Sequence, residues 1–137
     1  AERRVNGTRW VVTAMGGQRL EDGSKAHYDA ERRTNQPGVK AGGTDMARTL
    51  DINDSGKGSG SDGCNRYVGG LEFGKDGRVK AAPQGGVSTL MACPGRRDTL
   101  ARQFSTLTRA ATHWRMEGTT LVLETADKKT VRLRQVF

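Results

Sequence analysis

The stretch Gly56-Lys57-Gly58-Ser59-Gly60-Ser61-Asp62-Gly63-Cys64-Asn65-Arg66-Tyr67-Val68-Gly69-Gly70 decides how the rest of the chain is read. It lies between two apolar runs with strand character and holds one of the two cysteines. Glycine inside a strand marks a bulge or a close backbone approach, and a small barrel needs both where its strands bend. Gly58, Gly60 and Gly63 also satisfy G-x-G-x-x-G. That pattern binds a dinucleotide only when it opens a helix, so that phosphate meets the helix N-terminus. Cys64 to Gly70 does not read as a helix, so the nucleotide reading fails. Gly56-Lys57 is no phosphate loop either, because the upstream glycine and the following Ser or Thr are missing.

Upstream, Thr8 to Ala14 is β-branched and aromatic and reads as the first strand, with Trp10 entering the core. Residues 1–7 read as a disordered lead-in. From Gln18 to Asp45, Gly, Asp, Arg, Asn, Gln, Lys and Pro dominate. This predicts a long mobile loop over 18–45, with a short strand near Ala26–Ala30. Met46 to Asn53 alternates as a half-buried strand. Asp54 to Lys57 is turn chemistry, and Ser59 to Tyr67 reads as the partner strand.

Downstream, Leu71–Phe73 reads as a short strand, Asp76-Gly77 as its hairpin turn and Arg78–Ala82 as the return. Pro83 to Gly86 is expected to break that return. Val87 to Cys93 is another strand, or an extended entry to the helix. The helix itself spans roughly Arg96–Thr112, where Leu100, Phe104, Leu107 and Ala111 fall on one face. Asp98 near its start and Arg109 near its end suit the macrodipole. Three strands close the chain. Trp114 and Met116 share a face of the first, and Leu121 and Leu123 share a face of the second, opposite Val122. The whole is mainly β (α+β): about eight antiparallel strands curled into a small barrel with one packed helix.

A chain of 137 residues is one domain and large enough for one core. The absence of any 18-residue apolar run excludes a membrane-spanning helix. The net charge is +8 with pI near 10.1, which invites nucleic acid, an anionic surface or an acidic partner. The charges are spread as singles and pairs such as Arg96-Arg97, with no run of five, so we read a highly charged surface instead.

Cys64 and Cys93 admit three readings. As a disulfide they close a loop worth about 3–4 kcal/mol on the chain-entropy account. As reduced thiols they are small core residues. As nucleophile or zinc ligand, one needs a histidine near it in space, and the chain has only His27 and His113. We rank the disulfide first and catalysis or metal last. Asp62, Asn65, Arg66 and Tyr67 gather an acid, an amide, a guanidinium and a phenol beside Cys64. They form the candidate binding surface, although turn chemistry alone accounts for Asp62 and Asn65. Trp10, Phe73, Phe104 and Trp114 could line a pocket but are more simply core.

The Gly60-to-Gly70 segment resembles the glycine-cysteine-asparagine motif of the META domain (HslJ-like) family. Ser88-Thr89-Leu90-Met91-Ala92-Cys93 is similar to that family's second cysteine segment, which leads into a helix. The helix with Leu100, Phe104 and Leu107, then Trp114 and Leu121-Val122-Leu123, continue the match, as does the opening Trp10 strand. The resemblance spans about Thr8–Phe137. It implies a helix-capped, barrel-like fold in which Gly63, Phe73, Met91 and the apolar residues just named are structural. It also implies an exported bacterial protein, periplasmic or outer-membrane-associated and often a lipoprotein, linked to heat-shock or antibiotic stress. A removed signal and a membrane tether upstream of Ala1 are expected on this ground. Export also suits the Cys64–Cys93 disulfide, because such bonds persist in oxidising compartments.

The resulting expectation is a non-enzymatic, monomeric envelope stress-response domain that binds a protein or envelope component. No cofactor, metal or nucleic-acid partner is expected. The alternatives are a carrier of an apolar or lipid ligand inside the barrel, a cysteine-dependent enzyme, and a nucleic-acid binder.

Overall fold

The computed structural model describes residues 5–20, 47–93 and 95–136. Within these residues nine strands and one helix follow in order: β1 Thr8–Met15, β2 Gln18–Arg19, β3 Thr49–Ile52, β4 Lys57–Ser61, β5 Arg66–Phe73, β6 Val79–Ser88, α1 Gly95–Ala110, β7 Ala111–Glu117, β8 Thr120–Thr125 and β9 Thr130–Val136. All pairings are antiparallel. The sheet runs β6-β5-β4-β3-β1-β9-β8-β7, with the short β2 paired to β1. The fold is therefore mainly β, a nearly closed eight-strand barrel with one helix.

The two ends of the sheet touch at one corner only. Arg78 bridges His113, the Trp114 N–H donates to Gly77 O at 2.8 Å, and the Trp114 indole donates to Gly74 O at 2.7 Å. Beyond that corner β6 is paired to β5 alone among the described residues. Helix α1 lies against β1, β5, β6, β8 and β9.

The interior is filled. Trp10, Val12, Met15, Leu50, Ile52, Leu71, Phe73, Phe104, Leu107, Trp114, Leu121, Leu123, Val131 and Leu133 form one buried cluster, with Tyr67, Leu100 and Met116 packed on its border. The outer face of the β1–β9 pair carries a second small cluster of Val11, Ala47 and Val136. Val122, expected opposite the Leu121/Leu123 face, is itself fully buried, so β8 is covered on both sides.

Several local expectations change. Ser59–Tyr67 is not one strand, because the chain turns at Asp62–Asn65 and separates β4 from β5. The turn is closed by the Asp62 N–H on Asn65 O at 2.9 Å. The short Leu71–Phe73 strand is the end of an eight-residue β5. Pro83–Gly86 does not break β6. Ala81 faces Leu71 and Gly86 faces Gly69, so the four residues between are absorbed as a bulge opposite Gly70. Proline is tolerated there because a bulge on an edge strand demands no ladder N–H. Residues 89–93 are not a strand. The helix starts one residue earlier than expected and stops at Ala110, and Ala111 opens β7.

The expected lead-in also behaves differently where it is described. Val5 is buried, and the Gly7 N–H donates to Ile52 O at 2.7 Å. Gln18 and Arg19 pair with β1. Most of the expected 18–45 loop, including the strand near Ala26–Ala30 and His27, lies outside the described residues.

Candidate functional site

The turn between β4 and β5 is built by its own side chains. Asp62 Oδ1 accepts from the Cys64 N–H at 2.8 Å and from the Asn65 N–H at 2.6 Å, which folds the backbone back on itself. Gly63 sits at φ +95°, a conformation that glycine adopts without a Cβ penalty. A Cβ there would press on the Arg48 side chain at 3.4 Å.

The second cysteine segment is fastened to this turn at three places. Cys64 and Cys93 are joined, with 5.9 Å between their Cα atoms. Asn65 accepts from the Met91 N–H at 2.6 Å and donates to Met91 O at 3.2 Å. Thr89 pairs its backbone N–H with Arg66 O at 3.0 Å, while its hydroxyl donates to Asn65 Oδ1 at 2.9 Å. Both sulfurs lie in the bond, so neither is available as a thiolate nucleophile or a metal ligand. Among the described residues no cluster of three His, Cys, Asp or Glu side chains could hold a metal ion.

The four candidate surface residues are thus brought together, and three of them serve the turn and its packing. Asp62 and Asn65 are committed to backbone groups. The Tyr67 hydroxyl donates to Thr49 O at 2.8 Å, and its ring lies 6.0 Å from that of Phe104. Arg66 is exposed. Met91, expected in the core, is 56% exposed, because Asn65 grips its backbone and leaves its side chain outside. Trp10, Phe73, Phe104 and Trp114 are buried, so none of them offers a stacking platform for bases.

Two residues beyond that list matter here. Arg97 is 6% exposed and donates its Nε–H to Gly63 O. A cation in the first turn of a helix opposes the macrodipole, and that mismatch is the signal that could have singled it out. Arg48 is also buried, with its side chain next to Gly63.

An open cleft of about 440 Å³ lies between α1 and the β5–β6 pair, on the side where the barrel is not closed. Tyr67, Leu71 and Phe104 form its apolar floor, and Ser105, Thr108 and Arg109 its helix wall. Gly86, Val87 and Ser88 on β6 form the opposite rim. A Cβ on Gly86 would stand 2.8 Å from Gly69 O, so glycine is required where β6 passes β5 at this rim. Large apolar side chains are also exposed on β5, β6 and the segment after them. Val68 and Val87 face each other across β5 and β6 at 64% and 76% exposure. Leu90 follows at 95%.

The carboxylates with displaced pKa values lie elsewhere, at the β7–β8 and β8–β9 turns. Glu117 is held below the usual carboxylate range by hydrogen bonds from Arg132 and then Arg115. Asp127 is lowered by the Thr125 hydroxyl and then by Lys129.

The fold and its cleft can be set against known proteins. A solved structure from Burkholderia xenovorans superposes with a TM-score of 0.62 at 19% identity, covering 96% of this chain and 83% of that one. A second NMR structure gives the same TM-score at 18% identity, covering 94% and 89%. A DUF4847-family protein from Bacteroides vulgatus gives 0.54 at 16% identity, covering 95% and 93%. At such identities the likeness is one of fold. No curated protein matches the chain by sequence. The family profile described as "META domain" matches residues 3–136, nearly the whole length and both cysteine segments, and the chain belongs to the META domain family.

Proposed function

We propose that this protein is a non-enzymatic binding domain of the bacterial cell envelope, active in heat-shock or antibiotic stress. It engages a protein or envelope component through the α1–β5–β6 cleft and its apolar rim. The observation that carries this reading is the exposure of three apolar residues, Val87 on the β6 rim of the cleft and Leu90 and Met91 on the segment that follows it. Apolar groups exposed together mark an interaction surface when something holds them there. Here the Asn65 clip and the disulfide hold the 89–93 segment in place, so the exposure is fixed by the fold. The Cys64–Cys93 bond supports an oxidising, extracytoplasmic setting. The surplus of Lys and Arg, 23 against 15 Asp and Glu, favours acidic partners.

Photo-crosslinking tests the reading. A photoreactive amino acid at position 87 or 90 is expected to give discrete adducts in the envelope of the producing bacterium. The same group at position 128, on the β8–β9 turn, should give none. Equal labelling from all three positions, or none from any, would remove the cleft as the working surface. One observation favours a second reading, a small-ligand carrier: a cleft of about 440 Å³ falls within the size range of small-molecule sites. Such a ligand would occupy this cleft.

A further inference from the structure

The charge pattern of the cleft and the free edge of β6 specify its occupant further. This inference rests on the reading of the cleft as the binding surface. Helix α1 runs alongside β5 in the same direction. Its first turn meets the β4–β5 corner through Arg97 and Gly63, and the strand after it meets the β5–β6 hairpin through His113 and Arg78. Asp62 therefore stands at one end of the cleft and Arg109 at the other. Arg109 is exposed and has no hydrogen-bond or ion-pair partner among the described residues. At about 1.5 Å per helical residue, Arg97 and Arg109 lie roughly 18 Å apart. The β5 floor from Tyr67 to Leu71 spans roughly 13 Å at about 3.3 Å per residue. An extended chain of about four or five residues covers such a length.

The rim adds the means of holding a backbone. Among the described residues Gly86, Val87 and Ser88 pair with Gly69, Val68 and Tyr67 on one side only. Their other side is a sheet edge, and an edge offers N–H and C=O groups to an added strand. Every pairing in this barrel is antiparallel. A strand added antiparallel to β6 runs from the Asp62 end to the Arg109 end.

We propose that the cleft binds an extended peptide segment of a partner protein, added antiparallel to the Gly86–Ser88 edge. A basic residue near its N-terminal end faces Asp62, an acidic residue about four positions later faces Arg109, and an apolar side chain between them covers Tyr67 and Phe104. The order of charges follows from the strand direction, so the reversed sequence fits less well.

A positional-scanning library of acetylated, amidated pentapeptides tests this on the full chain. The expected result is selection of basic-first, acidic-last sequences with apolar residues between. NMR shift changes should map to Gly86, Val87, Ser88 and the 105–109 face of α1. N-methylation of the central amides should abolish binding. Arg109→Glu should weaken the selected peptide roughly tenfold, and a partner with its acidic residue changed to Lys should recover much of that loss. Arg109 is exposed, so the variant is expected to keep the wild-type near-ultraviolet circular dichroism; Arg109→Gln serves if it does not. Absence of any pentapeptide binding tighter than about 1 mM, indifference to N-methylation, or indifference to charge order would overturn the proposal. Crosslinks from position 87 without peptide binding would leave the cleft reading standing and remove the extended peptide as its occupant. Absence of both would remove the cleft reading itself.

Discussion

Asn65 grips the backbone of Met91 with both ends of its side-chain amide, accepting at 2.6 Å and donating at 3.2 Å. This two-point contact continues the β5–β6 ladder past the last strand pair, Tyr67 and Ser88. Asn65→Asp keeps the size and the acceptor but places a carboxylate oxygen against the Met91 carbonyl. We expect a loss of about 1–3 kcal/mol, read from urea unfolding midpoints. Asn65→Ala should cost about the same. Wild-type stability in either variant would mean that the clip is incidental.

The disulfide and the clip restrain the same segment, so their effects are coupled. Cys64 and Cys93 are 29 positions apart, and a loop of that length is worth about 3–4 kcal/mol through the unfolded chain. Reduction, or Cys64→Ser with Cys93→Ser, should lower stability by about that amount. Adding Asn65→Ala to the double variant should then cost measurably less than it does in the oxidised protein, because neighbouring restraints are not additive. A strictly additive result would place the two contacts in independent units. Thiol labelling of the denatured protein with and without prior reduction checks that the bond is present at the start.

Tyr67 separates stability from pocket shape. Its hydroxyl donates to Thr49 O, and Tyr67→Phe should cost about 1 kcal/mol. The ring that floors the cleft stays in place, so peptide binding should hardly change. Phe104 is 2% exposed beneath it, and Phe104→Ala should cost about 3–5 kcal/mol. Thermal melts of the two variants give the ranking. The prediction fails if Tyr67→Phe is the more damaging.

At the rim the expectation is the reverse. Leu90 is 95% exposed, and Leu90→Ala should leave stability within about 0.5 kcal/mol of wild type. Crosslinking or peptide affinity should nevertheless fall. A drop in melting temperature without any loss of binding would show that the segment serves the fold only.

The acid side of the stability curve has an identifiable contributor. Glu117 receives hydrogen bonds from Arg132 and Arg115, both at 2.9 Å, and its carboxylate is held below its ordinary range. A depressed folded-state value stabilises the fold above the unfolded-state pKa. That contribution disappears as pH falls through the folded value. Glu117→Gln should therefore melt slightly lower than wild type near neutral pH and equal to it in strong acid. Added salt should shrink the gap, because the group is solvent-exposed. A gap that persists in strong acid would assign the effect to packing instead.

The strands were legible where burial alternates or turn residues punctuate. Trp10, Leu121 and Leu123 declare their faces through side chains that must leave water, and Asp76-Gly77 declares its hairpin. Turn chemistry was legible at Asp62 and Asn65, yet the strand was drawn through them because Gly60 to Gly63 carries no apolar pattern to end it. Its boundary is set by Asp62 bonding two amides. Pro83 gave the opposite error. It reads as a break, yet β6 continues past it, because its extra residues form a bulge opposite Gly70 of β5.

The sequence by itself determined the fold class, the helix with its Leu100–Phe104–Leu107 face and the family, since all of these rest on local periodicity or on short motifs; it ranked the Cys64–Cys93 bond first among three readings, and the structure joins the two. Only the tertiary structure decided what the surface offers. Met91 belongs to an apolar motif but faces water, because Asn65 holds its main chain. Arg97 reads as one of a charged pair but is buried on Gly63. The cleft unites β5, β6 and the far end of α1, residues up to 47 positions apart in the chain between Asp62 and Arg109. It opens where the barrel stops short of closing, and that gap is set by how the two edge strands meet at Arg78 and His113, a property of the closed sheet that no local pattern encodes.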